Sequence, residues 1–309
     1  MPRTLIVVQK NDHSLGYYDP ESGAPRGRVG LDPYPHEFAL SADGRLAYCC
    51  HFGVALAEDE GPGGNTISVV DVAAKRHHRS LDCGDFRRPH GIALDRQGRL
   101  YALSEGASRL LIAPEPETGG FSRDQPTGGL GSHWVTVTGD GRLAFVSNMA
   151  SDSLTVLFPQ EPARPPVSIP VGRRPEGSVL DAEEARLYLV NRESAEISVI
   201  EVATLRALAP IATPPGPVRI CRDAQGRLLV PLYHDRALAI IDPTDPTAQT
   251  KVALPEKPVA ISYDPDLGWA FVSTLGDKVW VVDIAAERRL HAVETAAGPD
   301  PSATVMLES

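Results

Sequence analysis

The chain is poor in the features that would staple it, anchor it in a bilayer or fasten it to a nucleic acid. It has four cysteines in 309 residues, Cys49, Cys50, Cys83 and Cys221, and no C-x-x-C. That excludes a disulfide scaffold and a cysteine-rich metal site, and leaves reduced, mostly buried thiols as the expectation. Cys49 and Cys50 are neighbours on one strand and should point to opposite faces. No apolar run approaches membrane length. The run in the opening MPRTLIVVQ is too short for a signal peptide and is needed as a strand, so a cytoplasmic protein without membrane contact is expected. Positive charge is also scarce. Thirty Lys and Arg face forty Asp and Glu, a net charge of −10, with no basic stripe to bind phosphates. The sequence carries no G-x-S-x-G, H-E-x-x-H, P-loop or G-x-G-x-x-G, which disfavours a serine hydrolase and a nucleotide enzyme. Nowhere does a 3.6-residue apolar period persist over three turns.

What is present is a repeat. PHEFALSADGRLAYCCH (35–51), PHGIALDRQGRLYALSE (89–105), SHWVTVTGDGRLAFVSN (132–148) and PEGSVLDAEEARLYLVN (175–191) share one plan. GPVRICRDAQGRLLVPLY (216–233) and KPVAISYDPDLGWAFVST (257–274) continue it. Each reads as an alternating strand, a turn often made by Asp-Gly, and a second alternating strand. Third strands follow at 67–72, 154–158, 197–202 and 238–243, with weaker outer strands such as 167–172. The steps from His90 to His133, Glu176, Val218 and Val259 are 43, 43, 42 and 41 residues, the period of a β-propeller blade.

Six copies leave both ends over. The C-terminal 299–307 supplies one innermost strand, and 4–9, 14–20 and 25–32 supply the other three. Joined, they make a seventh blade and remove the open sheet edge. The expected fold is therefore all-β: one seven-bladed β-propeller domain over 1–309, with four-stranded antiparallel blades closed by N-terminal strands pairing with the C-terminal strand.

These repeats, with G-P-x-x-hydrophobic before a D-G turn and Y-V-x-N after it, resemble the YVTN-type seven-bladed propellers. The resemblance covers nearly the whole chain. The wider group includes lactonase-like and streptogramin B lyase-like proteins, so it implies the propeller fold and permits metal-assisted lyase or hydrolase chemistry. In streptogramin B lyase-like proteins a His and Glu set works with Mg, and in gluconolactonase-like proteins Glu, Asn and Asp hold a divalent metal. The three-histidine set of this chain differs from the second pattern.

Two aligned sets of residues carry the functional expectation. The second residue of each copy gives His36, His90, His133, Glu176, Val218, Val259 and Asp300. The last gives Gln9, His51, Glu105, Asn148, Asn191, Tyr233 and Thr274. The start of a blade's first strand and the end of its second lie on one face of the disc, so both sets should meet in one funnel. A lone histidine at a strand end is ordinarily a solvated or backbone-bonded residue. Three of nine histidines and a carboxylate in equivalent positions of consecutive blades are what a metal site needs. His36, His90, His133, Glu176 and Asp300 are thus the expected ligands of a divalent ion: Zn, Mn, Fe, Ni or Mg. Glu105 and His51 could add to the ligands, but are better suited to orient a ligand ring or move a proton. Asn148, Asn191, Arg192, Tyr233 and His234 are expected at the substrate, although the asparagines could equally cap their loops. The pairs Arg87–Arg88 and Arg173–Arg174 read as solvated loop charges or, alternatively, as holders of an anionic substrate at the mouth. Trp134 should point away from the channel, between blades.

The resulting expectation is a metal-dependent enzyme acting on a small, oxygen-rich molecule in the channel, by lyase, lactone hydrolase or isomerase chemistry. It would be a monomer or small homo-oligomer. The alternative is a non-catalytic propeller that presents a rigid disc to a protein or small ligand.

Overall fold

The computed structural model describes residues 2–307. They form twenty-nine β-strands in seven antiparallel sheets. The described residues include no helix long and apolar enough to cross a membrane. The seventh sheet is the closure anticipated from the two ends: Pro299–Met306 pairs with Arg3–Gln9, which pairs with Ser14–Tyr18 and then Pro25–Gly30. The pairing runs from Arg3 opposite Met306 to Gln9 opposite Pro299. Two blades depart from the regular plan. The outer strand of the fourth is split into Arg206–Ala207 and Ile211–Ala212, and the first strand of the fifth is reduced to Cys221–Arg222 plus a bridge between Pro217 and Leu232.

A blade has two apolar faces, and each must be covered by a neighbour. Seven buried clusters among the described residues do this, one between every adjacent pair of blades. Cys50 and Tyr48 pack with Leu100 and Leu111 of the second blade, whereas Cys49 packs with Ile6 and Tyr17 of the closing blade. The two cysteines do face opposite ways, as strand alternation requires. Where first strands crowd at the axis, small residues are obligatory. A Cβ on Gly91 would lie 2.7 Å from the His133 carbonyl oxygen and 2.9 Å from Trp134 Cα.

One irregularity recurs and positions the site. In each blade the pairing between first and second strands slips by one residue near the start of the first strand. The slips fall between Pro35 and Phe38, Pro89 and Ile92, Ser132 and Trp134, Pro175 and Ser178, and Pro258 and Ala260. The closing blade slips between Val7 and Gln9, opposite Pro299–Ser302, and the fifth between Pro217 and Cys221. Such β-bulges set two residues against one and re-aim side chains. His36, His90, His133, Glu176, Val218, Val259 and Asp300 all sit inside a bulge.

Candidate functional site: a histidine–carboxylate cluster in the central channel

The bulges turn these side chains toward the axis, where a cavity of about 540 Å³ opens to one face of the disc. Its walls include His36, His133, Glu176, Val218, Val259 and Asp300. His90 lies deeper, 2 % exposed. The three histidine rings pack in series: His36 meets His90 edge-on with centroids 4.3 Å apart, and His90 lies tilted against His133 at 3.8 Å. Phe52 closes the apolar side, its ring edge-on to His90 at 5.5 Å.

His133 is clamped at both ends. Its Nδ1 meets Glu105 Oε2 at 3.0 Å and its Nε2 meets Glu176 Oε2 at 3.1 Å. Burial disfavours its charge, but the two carboxylates outweigh burial and raise its pKa to about 9. Burial works on His90 in the same direction without such compensation. With the neighbouring His133 and His36 rings it drives His90 well below the ordinary histidine range. His90 Nδ1 has no hydrogen-bond partner. His36 Nδ1 touches Asp300 Oδ2, yet the contact is too poorly aligned to be a hydrogen bond.

Two charged residues in this cluster escaped the sequence reading. Arg219, next to Val218, crosses the channel floor. It donates to Glu37 Oε1 through Nη2 at 2.7 Å and Nε at 3.2 Å, and to Glu176 Oε2 through Nη1 at 3.0 Å. Its guanidinium lies over Trp134, 4.9 Å from the ring centroid. Trp134 itself points between blades as expected, its Nε1 donating to the Ser178 carbonyl. Burial raises Glu176, but His133, Arg219 and Arg192 hold it well below the usual carboxylate range. Glu37 and Arg219 reach the cluster because a bulge frees the residue beside the expected one. A charged residue immediately after the channel position was the available signal.

Not every expected residue arrives at the funnel. The residues paired across the bulge are His51, Ser104, Asn148, Asn191, Leu232, Thr274 and Gln9. Several of these brace their own hairpin. Asn148 accepts from Ser132 Oγ and donates to Thr155 Oγ1, and Asn191 donates to Ser198 Oγ. His51 is 1 % exposed, with Nε2 against Ser68 Oγ and Nδ1 against the Asp32 carbonyl. Burial lowers its pKa to about 4. None of these three lines the cavity.

The residue one step further does. Lys10, Met149, Arg192, Tyr233 and Leu275 line the cavity, and Phe52 and Glu105 lean on the histidines. Glu105 and Tyr233 had been aligned with the asparagines, but stand one position beyond them. A one-residue offset changes the face a side chain occupies. His234 is exposed and packs edge-on against Tyr233 outside the cavity wall. The arginine pairs also divide. Arg173 and Arg87 are exposed. Arg174 lines the cavity, and Arg88 donates to the carbonyls of Ala57, Asp59 and Gly61. That holds residues 52–65, a long connection in the first blade, with Ala55 and Leu56 against the cavity.

Two sets of donors lie close enough to share an ion: His36, Glu37 and His90, and His90, Glu105 and His133, with ligand atoms within 4.8 Å in each. The first is the better fit. His133 already has both nitrogens engaged, whereas His90 Nδ1 is orphaned and His36 Nδ1 is unaligned. Two imidazoles and a carboxylate are a donor set for a divalent ion of borderline softness. Glu176 and Asp300, expected as ligands, belong to neither set. Glu176 is taken up by His133 and Arg219, whereas Asp300 stands beside His36 in the cavity wall.

No family model and no curated protein matches the sequence. Solved structures match the fold over nearly the whole length. The periplasmic gluconolactonase of Pseudomonas aeruginosa superposes with a TM-score of 0.79 at 17% identity, covering 98% of this chain and 99% of that one. A streptogramin B lyase gives 0.72 at 13% identity, covering 88% and 87%. A catalytically inactive virginiamycin B lyase variant from Staphylococcus aureus, solved with quinupristin, gives 0.72 at 13% identity, covering 90% and 89%. The chain shares with them the seven-bladed propeller, a fold that hosts lactone-hydrolysing and lyase enzymes.

Proposed function

We propose that this chain is a metal-dependent enzyme that acts on a small, oxygen-rich molecule in the central channel. The observation that carries the reading is His90: an enclosed imidazole with an unpartnered Nδ1, edge-on to His36 and within ligand reach of Glu37. Leaving such a nitrogen unsatisfied costs about 1–3 kcal/mol, which a bound cation would offset. His36, Glu37 and His90 would hold the ion, and a divalent ion there supplies a Lewis acid for a carbonyl oxygen or a water molecule.

The rest of the work falls to the chain. Arg219 fixes the Glu37 carboxylate, so the donor set stays preorganised. His133 lines the cavity and is held protonated between Glu105 and Glu176; release of either carboxylate would free an N–H to protonate a leaving oxygen, and the deprotonated ring would remove a proton next to a carbonyl. Val218 and Val259 line the opposite wall and exclude water from that side. Lactone opening by hydrolysis, elimination, and isomerisation all use this equipment. The gluconolactonase and lyase neighbours support the first two. The partner is a small molecule, since the net charge of −10 disfavours nucleic acid.

The test is a screen of aldonolactones and cyclic esters against protein loaded in turn with Zn, Mn, Mg, Ni and Fe(II). Turnover that depends on the ion and disappears in His90→Ala supports the proposal. Turnover that survives chelation and His90→Ala contradicts it.

A further inference from the structure

The cavity wall beyond Glu176, the partner of His133, carries positive charge that the reaction chemistry does not use. Arg192 and Arg174 line the cavity where the fourth blade meets it. The Arg192 guanidinium stacks on Tyr233, 4.3 Å from the ring centroid, and Lys257 Nζ lies 4.7 Å from the same centroid. Two cations on one ring repel each other, and no carboxylate lies within ion-pair distance of Lys257 among the described residues. Arg192 reaches only Glu176 Oε1, at 3.5 Å, an oxygen that Arg174 Nε also approaches at 3.5 Å. Arg174 Nε is buried with no hydrogen-bond partner, and its Nη1 lies 4.0 Å from Glu193 Oε1, a half-exposed carboxylate. Glu176 is occupied more closely by His133 and Arg219.

Besides Asp300, which contacts His36, two other carboxylates share the cavity wall. Asp277 Oδ1 accepts from the Gly298 amide at 2.8 Å, and Glu58 stands on the long connection of the first blade. Neither forms an ion pair with Arg174, Arg192 or Lys257. Below the cations the wall turns apolar, with Val218, Val259 and Leu275. A protein of net charge −10 repels anions at long range, so cations gathered at one mouth are a local device.

We infer that Arg192 and Lys257, both against the Tyr233 ring, form an oxyanion subsite with Arg174 of the same cavity wall, and that the substrate is an amphipathic molecule. Its carboxylate or phosphate lies at this arc and its apolar part lies on Val218, Val259 and Leu275. The inference rests on the reading of the channel as a substrate site. It adds that the reactive carbonyl, at the histidines, is separated from an anionic head at the fourth to sixth blades. Arg192 offers the planar fork that suits a two-oxygen acceptor, and its stacking on Tyr233 fixes the fork before the ligand arrives.

Titration calorimetry with four probes tests it on the full chain: 3-phenylpropionate, phenyl phosphate, the neutral 3-phenylpropionamide, and propionate. The subsite predicts that at least one aryl anion binds about tenfold or more tighter than the amide, and tighter than propionate, which lacks the apolar part. Preference between the first two probes tells carboxylate from phosphate. Arg192→Gln should weaken the anion about tenfold and leave the amide unchanged, and Tyr233→Leu should weaken both anions. His36→Ala/His90→Ala should retain the anion, because the arc does not involve the histidines. Equal binding of acid and amide, no binding of any probe, or loss of the anion only in the histidine variant would overturn the inference. Metal uptake by the wild-type chain is measured in parallel. Intact uptake with absent anion binding rejects the subsite alone, and absent uptake with intact anion binding rejects the metal site alone.

Discussion

Replacing Arg219 by Met should destabilise the propeller by about 3–5 kcal/mol, the usual consequence of removing one partner from a buried ion network. The guanidinium is 7 % exposed and joins Glu37 of the first blade to Glu176 of the fourth, residues far apart in the ring. Without it, Glu37 keeps its place with its nearest cation gone, and Glu176 retains His133 but loses a 3.0 Å contact. Methionine preserves most of the volume over Trp134, so the effect is mainly electrostatic. For a chain of this length, ~2 cal/mol/K of unfolding entropy per residue converts the loss into roughly 5–8 °C of melting temperature. Calorimetry and urea unfolding at pH 7 measure it. The cycle with Glu37→Gln is the sharper assay. If Glu37 is a liability only when unpaired, Arg219→Met/Glu37→Gln should recover at least about 1 kcal/mol of the single-variant loss. A melting temperature within 1–2 °C of wild type for Arg219→Met, or strict additivity in the cycle, would refute the claim that this network ties the channel floor together.

His51 predicts a pH effect on stability. Its neutral form is favoured in the fold, so its contribution is complete above about pH 6.5 and is lost as the pH falls toward 4. Between pH 7 and pH 4.5 wild type should lose about 2 kcal/mol more than His51→Gln in urea titrations, and parallel pH curves for the two would contradict it. Asn148→Ala strands the Thr155 hydroxyl, leaves Ser132 with Thr127 alone, and should cost about 1–3 kcal/mol without altering metal content. Loss of metal with an unchanged urea midpoint would show that the asparagine belongs to the site instead.

Much of this molecule is legible in its sequence because a propeller repeats its physics. The 41–43-residue spacing, the D-G turns and the paired leftover ends define seven blades, since an open blade would leave apolar faces and strand edges exposed. Two local features were not legible. A bulge has no sequence signature of its own, so the presence of Glu37 and Arg219 beside the channel positions could not be weighed. Strand ends could not be placed to one residue either, which grouped Glu105 and Tyr233, at the funnel, with Asn148 and Asn191, inside their hairpins. The candidate donor set proposed above differs from the aligned one in the same way: Glu176 is engaged by His133 and Arg219, and Glu37, which no alignment of single positions would select, lies within ligand reach of His36 and His90.

The central claim is that His36, Glu37 and His90 hold a divalent ion, and metal stoichiometry tests it most directly. Protein prepared without a histidine tag should be analysed by inductively coupled plasma mass spectrometry, as purified and after loading, beside a His36→Ala/His90→Ala variant shown to be folded by its melting curve. The account predicts close to one equivalent of a single divalent metal in wild type and almost none in the variant. No metal in wild type after loading, or equal metal in both proteins, would contradict it.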